Sequence, residues 1–245
     1  MIETIKDLKS KYPVKVELHT HTMPASKCGH VSPEDTVKAY SDIGCDCLVI
    51  TNHLNPDWLV GDPAERAQEY LDDYNKAKKY GEMVGVKVIL GVEIRFTENS
   101  NDYLVYGVEP SDIVKMIPYL DMGISEFYRA FKSEKNLILQ AHPFRKNMVL
   151  APIDSIDGIE VFNCHPNHNG KIAVAAKYAA ENNFVYTGGS DHHDEGQEGL
   201  CLTRLKSLPD DSLELAKILK SLSQKIASLL SLATEPSQIV LTSRA

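Results

Sequence analysis

VELHTHT, residues 16–22, reads as an apolar strand that ends in His19-Thr20-His21, where the two-residue period of an extended chain turns both imidazoles to one face. One such pair is a weak sign of metal chemistry, but the chain repeats the pattern. His30, His53, Glu93, His142 and the Asp191/His193 pair each stand near the end of a short apolar run. Metal-ligand side chains gathered at strand ends are the expectation for a polynuclear metal site.

Outward from this stretch, strands and helices alternate. Ser32-Pro33-Glu34-Asp35 is a helix start, with a serine cap, proline at the first position and acids in the first turn. Gly44 ends that helix, and CDCLVIT (45–51) is a buried strand that delivers Asn52 and His53. Asp62-Pro63 opens a long helix to about Met83, and KVILGVEI (87–94) delivers Glu93. DYLVYGV (102–108), NLILQ (136–140), GIEVFN (158–163) and FVYTGG (184–189) are the later strands, with helices from Ser111, Ser125 and Lys171 between them. Leu213–Leu230 reads as a closing amphipathic helix and SQIVLTS as a last edge strand or tail.

This reading gives seven strands. Alternation with helices favours a parallel sheet. Ligands from about six strand ends can meet only if the sheet closes, so the expectation is an α/β fold, a distorted (β/α)7 TIM-like barrel. An open doubly wound sheet is the alternative; it gathers ligands from only two or three strand ends.

Composition is consistent with one domain over residues 1–245, its motifs in 14–200 and a closing strand or helix and tail in 201–245. With 43% apolar and 24% charged residues the chain can bury one sizeable core. The net charge of −8 argues against a protein whose main task is gripping nucleic-acid backbone. It does not exclude an anionic substrate, because bound cations reverse the sign locally. No apolar run approaches the roughly 18 residues of a membrane span. MIETIKDLKSKYP lacks the core of a signal peptide, so a cytoplasmic protein is expected. The five cysteines are odd in number and lie mostly in apolar runs, as free thiols do.

HTH, TNH, GVE, AHPF and SDHH, in that order, resemble the polymerase-and-histidinol-phosphatase (PHP) domain family. The resemblance implies a distorted seven-stranded barrel holding two or three divalent ions, zinc, manganese or iron, and hydrolysis of phosphoesters. By position it makes His19, His21, Glu93 and Asp191 ligands of the first metal, with Glu93 bridging to a second that His142 also holds. It gives His30, His53 and His193 to a third. His192 is expected to support the site or face solvent, and Asn52, which stands where many members have Asp, to support rather than ligate.

One departure bears on the second metal. Members usually offer a histidine at the start of the fourth strand, and Asp102-Tyr103 stands there. A phenolate from Tyr103, or His165 just past Asn163, are candidates to complete the set. Arg145 and Arg95 are candidates to clamp a substrate phosphate through bidentate hydrogen bonds, with Lys27 assisting from the first loop. Arg145 has a rival role as partner of Asp154 or Glu160.

Metal-activated hydroxide requires no nucleophilic side chain. The chain accordingly has no G-x-S-x-G elbow, C-x5-R-like loop or P-loop. Only residues 94–101 separate Glu93 from Asp102, leaving no room for an inserted subdomain. That favours a small phosphomonoester, with an oligonucleotide still open. An amidohydrolase-like hydrolase of C–N or C–O bonds and a non-catalytic metal-binding module are the other readings; no strand-end lysine that would bridge amidohydrolase metals stands out.

Overall fold

In the computed structural model, which describes residues 5–223 and the short segments 229–231 and 239–240, the expected succession of strands is present. The strands are β1 (Val14–Thr20), β2 (Cys47–Ile50), β3 (His53–Leu54), β4 (Lys87–Leu90), β5 (Val92–Arg95) and β6 (Asp102–Tyr106). They continue with β7 (Leu137–Gln140), β8 (Gly158–Asn163), β9 (Val185–Gly189), β10 (Leu202–Leu205), β11 (Leu229–Ser231) and β12 (Ile239–Val240). The helices are α1 (Ile5–Lys11), α2 (Pro33–Asp42), α3 (Pro63–Val84), α4 (Pro110–Met116), α5 (Ile124–Phe131), α6 (Ile172–Glu181) and α7 (Ser212–Ser223).

Local signals set the helix starts. Ser32 Oγ accepts from Asp35 N at 3.1 Å, and Asp62 accepts from Ala64 N and Glu65 N, each satisfying donors that a helix N-terminus leaves open. The closing helix is shorter than its apolar pattern suggests. It is helical to Ser223 and the chain is extended again at Leu229, while residues 224–228 lie outside the described residues. Of SQIVLTS, Ile239–Val240 form an edge strand paired with β11.

The predicted strand 87–94 breaks at Gly91 into β4 and β5, and the chain beyond the predicted strand 45–51 resumes as β3, so that these breaks divide the strands between two sheets. One sheet runs β12-β11-β10-β1-β2-β4 and the other β3-β5-β6-β7-β8-β9. β2 leads into β3 and β4 into β5, so both sheets share a continuous path; Gly91 N donates to Ile50 O and Glu93 N to Asn52 O across the breaks. At the far ends, Thr20 bridges in parallel to His192, His21 N donates to His192 O at 2.9 Å and His192 N to His19 O at 3.2 Å. These bonds tie β1 to the segment after β9, the first and last of the seven predicted strands.

The sheets are mixed, which corrects the expectation of a parallel sheet. β6 runs antiparallel to both β5 and β7, and β10 antiparallel to β1. The reason is the length of the β5–β6 link, residues 96–101, too short for the crossover that a parallel pair requires. In consequence the start of β6 lies where its neighbours end: Asp102 pairs with Arg95, and Ala141 N donates to Asp102 O.

Alternation along the strands separates two apolar layers. Leu48, Ile50, Val92, Ile94, Tyr103 and Val105 pack in a cluster with residues of α2 to α6. Val16, Leu18, Cys47, Val49, Ile89, Leu104, Tyr106, Leu137 and Leu139 form the other, to which α7 adds Leu215, Ala216 and Leu219. A register shift between Glu17 and Thr20 changes the phase of β1, so His19 follows Leu18 to the site instead of turning from it. Buried Glu17 fixes the shifted chain: its Oε1 accepts from His19 N and Ser190 N, each at 2.9 Å, and its Oε2 from Tyr40 Oη.

β8 and β9 approach so closely at Gly158 that a Cβ there would stand 1.8 Å from Val185 O. Gly158→Ala is expected to destabilise the protein by about 1–3 kcal/mol through forced strand separation, read as a lowered urea midpoint. An unchanged midpoint would show that this contact does not set the strand spacing.

Candidate metal centre

β1, β3, β5, β6 and the segments after β7 and β9 bring seven of the eight expected ligands together at one mouth, and Asp102 with them. His19 Nε2 lies 3.1 Å from His21 Nε2, 3.1 Å from Glu93 Oε1 and 3.4 Å from Asp191 Oδ1. His21 Nε2 is 3.3 Å from both Glu93 Oε2 and Asp191 Oδ1. His53 Nδ1 is 2.9 Å from Glu93 Oε2, and His142 Nε2 is 3.3 Å from Glu93 Oε1 and 3.7 Å from Asp102 Oδ2. The His193 ring stands 4.3 Å from that of His21. Three overlapping donor groups result, each with its ligand atoms within 4.8 Å of one another: His19/His21/Asp191, His53/Glu93/Asp102 and His21/His53/His193.

The donor chemistry fits divalent cations. Glu93 is 1% exposed, yet neither of its oxygens receives a hydrogen bond; His53 Nδ1 and His142 Nδ1 are orphaned as well. Buried polar atoms without partners are costly, and a cation among imidazoles and carboxylates would satisfy them. Burial alone would raise Glu93 and Asp191, but His19 and His53 around Glu93, and His19, His21 and Arg145 around Asp191, hold both well below the usual carboxylate range. Burial would lower His19, but Asp191, Glu160 and Glu93 hold it well above the usual imidazole value. His21 is pushed well below by burial and by His193 and His53. Cation binding at His19 would therefore displace a proton, whereas His21 already offers a lone pair.

Neighbouring groups select which ring nitrogen faces the mouth. His19 Nδ1 donates to Glu160 Oε1 at 2.9 Å and His193 Nδ1 to Asp191 O at 2.8 Å, leaving each Nε2 free. Ser26 donates to Asn52 Oδ1 and so accepts from His21 Nδ1 at 3.1 Å and from His53 N. Asn52 holds Ser26 and Thr22: its Oδ1 accepts from Ser26 Oγ and Thr22 N, and its Nδ2 donates to Thr22 Oγ1. His142 and Asp191 have positive φ, 30° and 54°, a strained backbone of the kind found at functional sites. A Cβ on Gly189 would meet the His19 Cβ at 2.6 Å, so this glycine permits close passage of β9 beside β1.

Other expected residues stand differently. The His30 side chain is 69% exposed, bonded through Nδ1 to Asp194 at 2.6 Å, and belongs to none of the donor groups. His192 is not solvent-facing: it is 1% exposed, edge-on to Tyr40, and neither ring nitrogen has a partner. Tyr103 cannot supply a phenolate, because alternation sends it to the outer core against Phe96, where its Oη accepts from Asn101. His165 lines the mouth, its ring 5.3 Å from that of His193, but lies outside the donor groups; its Nδ1 accepts from Asn167 N.

Arg145 pairs with Asp191 and Asn163, and not with Asp154 or Glu160. Arg95 forks onto Asp102 with two 2.6 Å bonds. Both guanidiniums line the same cavity of about 330 Å³, though each is engaged by a carboxylate. Asn163 Nδ2 joins Glu160 and Asp191. Lys27 pairs with exposed Asp57 and does not line this cavity.

Three contributors escape the sequence reading. Asp102 shares its strand face with Leu104 and Tyr106, a period-two signal that marks it, and not Tyr103, as inward-facing. Glu160 carries the same kind of signal between outward Ile159 and Val161. Cys28, a lone cysteine in a loop, carries none; it lines the cavity with His53 and His193, and although burial would raise its thiol, these two histidines bring it down to about 6.

The PHP domain family matches residues 17–233. This chain is a member of the PHP domain family. PsfC of Pseudomonas syringae superposes on it with a TM-score of 0.62 at 16% identity, covering 86% of this chain and 96% of that one. A two-domain protein of Bacteroides vulgatus, described as containing a predicted PHP-like metal-dependent phosphoesterase, gives 0.57 at 19% identity over 79% of this chain and 59% of its own. An amidohydrolase of Chromobacterium violaceum with bound sulfate and no metal gives 0.54 at 12% identity, over 90% of this chain and 99% of that one. At these identities the likeness concerns the fold. None of the curated proteins matches this sequence. Among the described residues of this PHP domain, no helix is long and apolar enough to cross a membrane.

Asp102→Ala is expected to reduce the metal retained per chain after dialysis, whereas Tyr103→Phe leaves it unchanged. Equal retention by wild type and Asp102→Ala would remove Asp102 from the donor set.

Proposed function

We propose that this PHP domain is a metal-dependent phosphoesterase that hydrolyses a small phosphomonoester at a site for two or three divalent ions, zinc, manganese or iron. The observation that carries the reading is Glu93, a charged, buried carboxylate whose two oxygens receive no hydrogen bond and lie within 3.3 Å of nitrogens of His19, His21, His53 and His142. A bound divalent pair supplies Lewis acidity, which lowers the pKa of water and neutralises phosphate oxygens.

The chain's own residues hold and aim these parts. His19, His21 and Asp191 form one ligand set; His53, Glu93 and Asp102 form a second, with His19 Nε2 3.1 Å and His142 Nε2 3.3 Å from Glu93 Oε1. His53 and His193 belong to a third that shares His21. Glu160 keeps His19 Nε2 turned inward, and Ser26 does the same for His21. Arg145 holds Asp191 Oδ2, so that Oδ1 remains toward the histidines, and leaves a positive guanidinium at the cavity wall for substrate phosphate. Arg95 has the corresponding place beside Asp102.

The size and polarity of the cavity favour a small phosphorylated molecule, and its wall of imidazole, carboxylate and guanidinium groups offers little to an apolar moiety. The amidohydrolase-like reading has less support, since no lysine lines the cavity among the described residues.

Phosphate release from a panel of phosphomonoesters, nucleotides and phosphopeptides, by protein reconstituted with Mn²⁺ or Zn²⁺, tests the proposal. His19→Ala is expected to lower kcat by orders of magnitude with an unchanged far-ultraviolet circular dichroism spectrum, and a chelator to reproduce the loss. Hydrolysis retained by the variant would sink the reading. Arg145→Ala removes a partner of Asp191 as well as a phosphate contact, so kcat is expected to fall and KM to rise. A loss of stability with both constants unchanged would make this arginine purely structural.

A further inference from the structure

The buried face of α3, which carries Tyr70, Tyr74 and Ala77, also carries a carboxylate: Asp73 is 1% exposed. A carboxylate so placed is costly unless donors reach it. Two do, both from the first loop between β1 and α2. Thr22 Oγ1 donates to Asp73 Oδ2 at 3.1 Å, and Ala25 N donates to the same oxygen at 3.0 Å. One turn earlier on α3, Tyr70 Oη donates to Asn52 O at 2.7 Å, so the helix grips the first loop and the end of β2 together.

From Asp73 the hydrogen bonds run in one direction. The Thr22 hydroxyl has a single proton and gives it to Asp73, so it takes the Asn52 Nδ2 bond, at 2.8 Å, on a lone pair. The amide therefore turns Oδ1 the other way, an orientation that Thr22 N reinforces at 2.7 Å, and this oxygen takes the Ser26 proton at 2.9 Å. Ser26 Oγ is left as an acceptor, for His53 N at 2.9 Å and for His21 Nδ1 at 3.1 Å. The other nitrogen of His21 meets the opposite demand. Glu93 Oε2 and Asp191 Oδ1, each 3.3 Å from Nε2, would draw the ring proton to that side, where it would occupy the lone pair that a cation needs.

We propose, on the basis of the metal-dependent reading above, that Asp73 is a positioning residue of the metal centre: through Thr22, Asn52 and Ser26 it holds the His21 proton on Nδ1 and keeps Nε2 open for a divalent ion. Asp73 acts at two points. Its bond to Ala25 N pins the residue before Ser26, and its bond to Thr22 sets the polarity of the chain that follows. The same arrangement gives a reason for the amide at position 52. An aspartate there would set a second carboxylate against a hydroxyl whose proton is already spent on Asp73, whereas Asn52 Nδ2 brings the donor that Thr22 Oγ1 accepts.

Long-range proton–nitrogen correlation spectra of the imidazole rings, recorded on the metal-free full chain where the rings are neutral and with His21 assigned from a His21→Gln variant, read the tautomer. Zinc competition against a chelator reads the affinity. The wild type is expected to carry its His21 proton on Nδ1. Asp73→Ala is expected to move that proton to Nε2 and to weaken zinc binding by about 10- to 100-fold, as loss of a group that orients a metal ligand does. Thr22→Val removes the hydroxyl and leaves the Ala25 bond in place; it is expected to shift the tautomer in the same way, and it carries the test if Asp73→Ala does not fold. Asp73→Asn keeps an oxygen for both donors and should retain tautomer and affinity. An unchanged His21 tautomer in either folded variant, Asp73→Ala or Thr22→Val, overturns the Asp73 proposal alone, whatever the loss of stability. Asp73→Asn behaving like Asp73→Ala does the same, and failure of the wild type to bind zinc at all overturns the underlying metal reading with it.

Discussion

A carboxylate that is charged, almost wholly buried and unbonded at both oxygens is the constraint around which the mouth of this protein is built. Glu93 occupies that position, and four imidazoles, those of His19, His21, His53 and His142, surround it within 3.3 Å. Removing such a charge from water is expensive unless opposite charge accompanies it. Asp191 solves the same problem differently, with Arg145 and Asn163 on one oxygen and histidines on the other. Glu93 has no arginine or amide beside it, only these imidazoles. It is the group that a cation would satisfy most directly.

Holding these groups together demands that the backbone give up regularity. β1 shifts register between Glu17 and Thr20, β2 and β4 pass into β3 and β5, and His142 and Asp191 take positive φ. The compensation lies below, where Leu18, Val49, Ile89, Leu104 and Leu139 pack as an apolar floor that does not depend on the ligands. Glu17 ties the shifted β1 to Ser190 and, through Tyr40, to α2. The site is thus suspended between a rigid core and a few buried polar anchors, so its geometry is largely set before any ligand arrives.

Family membership settles the kind of site more firmly than its occupant. Structures with the same fold carry descriptions as different as phosphoesterase and amidohydrolase, and function on a shared fold follows from the site. Here arginines, histidines and carboxylates line the cavity, and the link between β5 and β6 is short. The same short link turns β6 around and brings a carboxylate, Asp102, to the place where related chains are expected to have an imidazole.

The residue order of this chain by itself determined the strand succession and most of the side chains that gather at the mouth, because apolar runs ending in His, Glu or Asp leave a readable trace at period two. Helix starts were equally legible, at Ser32 and Asp62, since capping is a local interaction. Tertiary structure alone decided that β6 runs backwards, that His30 turns to Asp194, that Tyr103 joins the outer core and that Cys28 reaches the mouth. Those outcomes depend on which loops close over which strand ends, and a loop side chain has no periodicity to announce its direction. A strand residue inherits its facing from its neighbours; a loop residue acquires it only from the contacts that fix the turn.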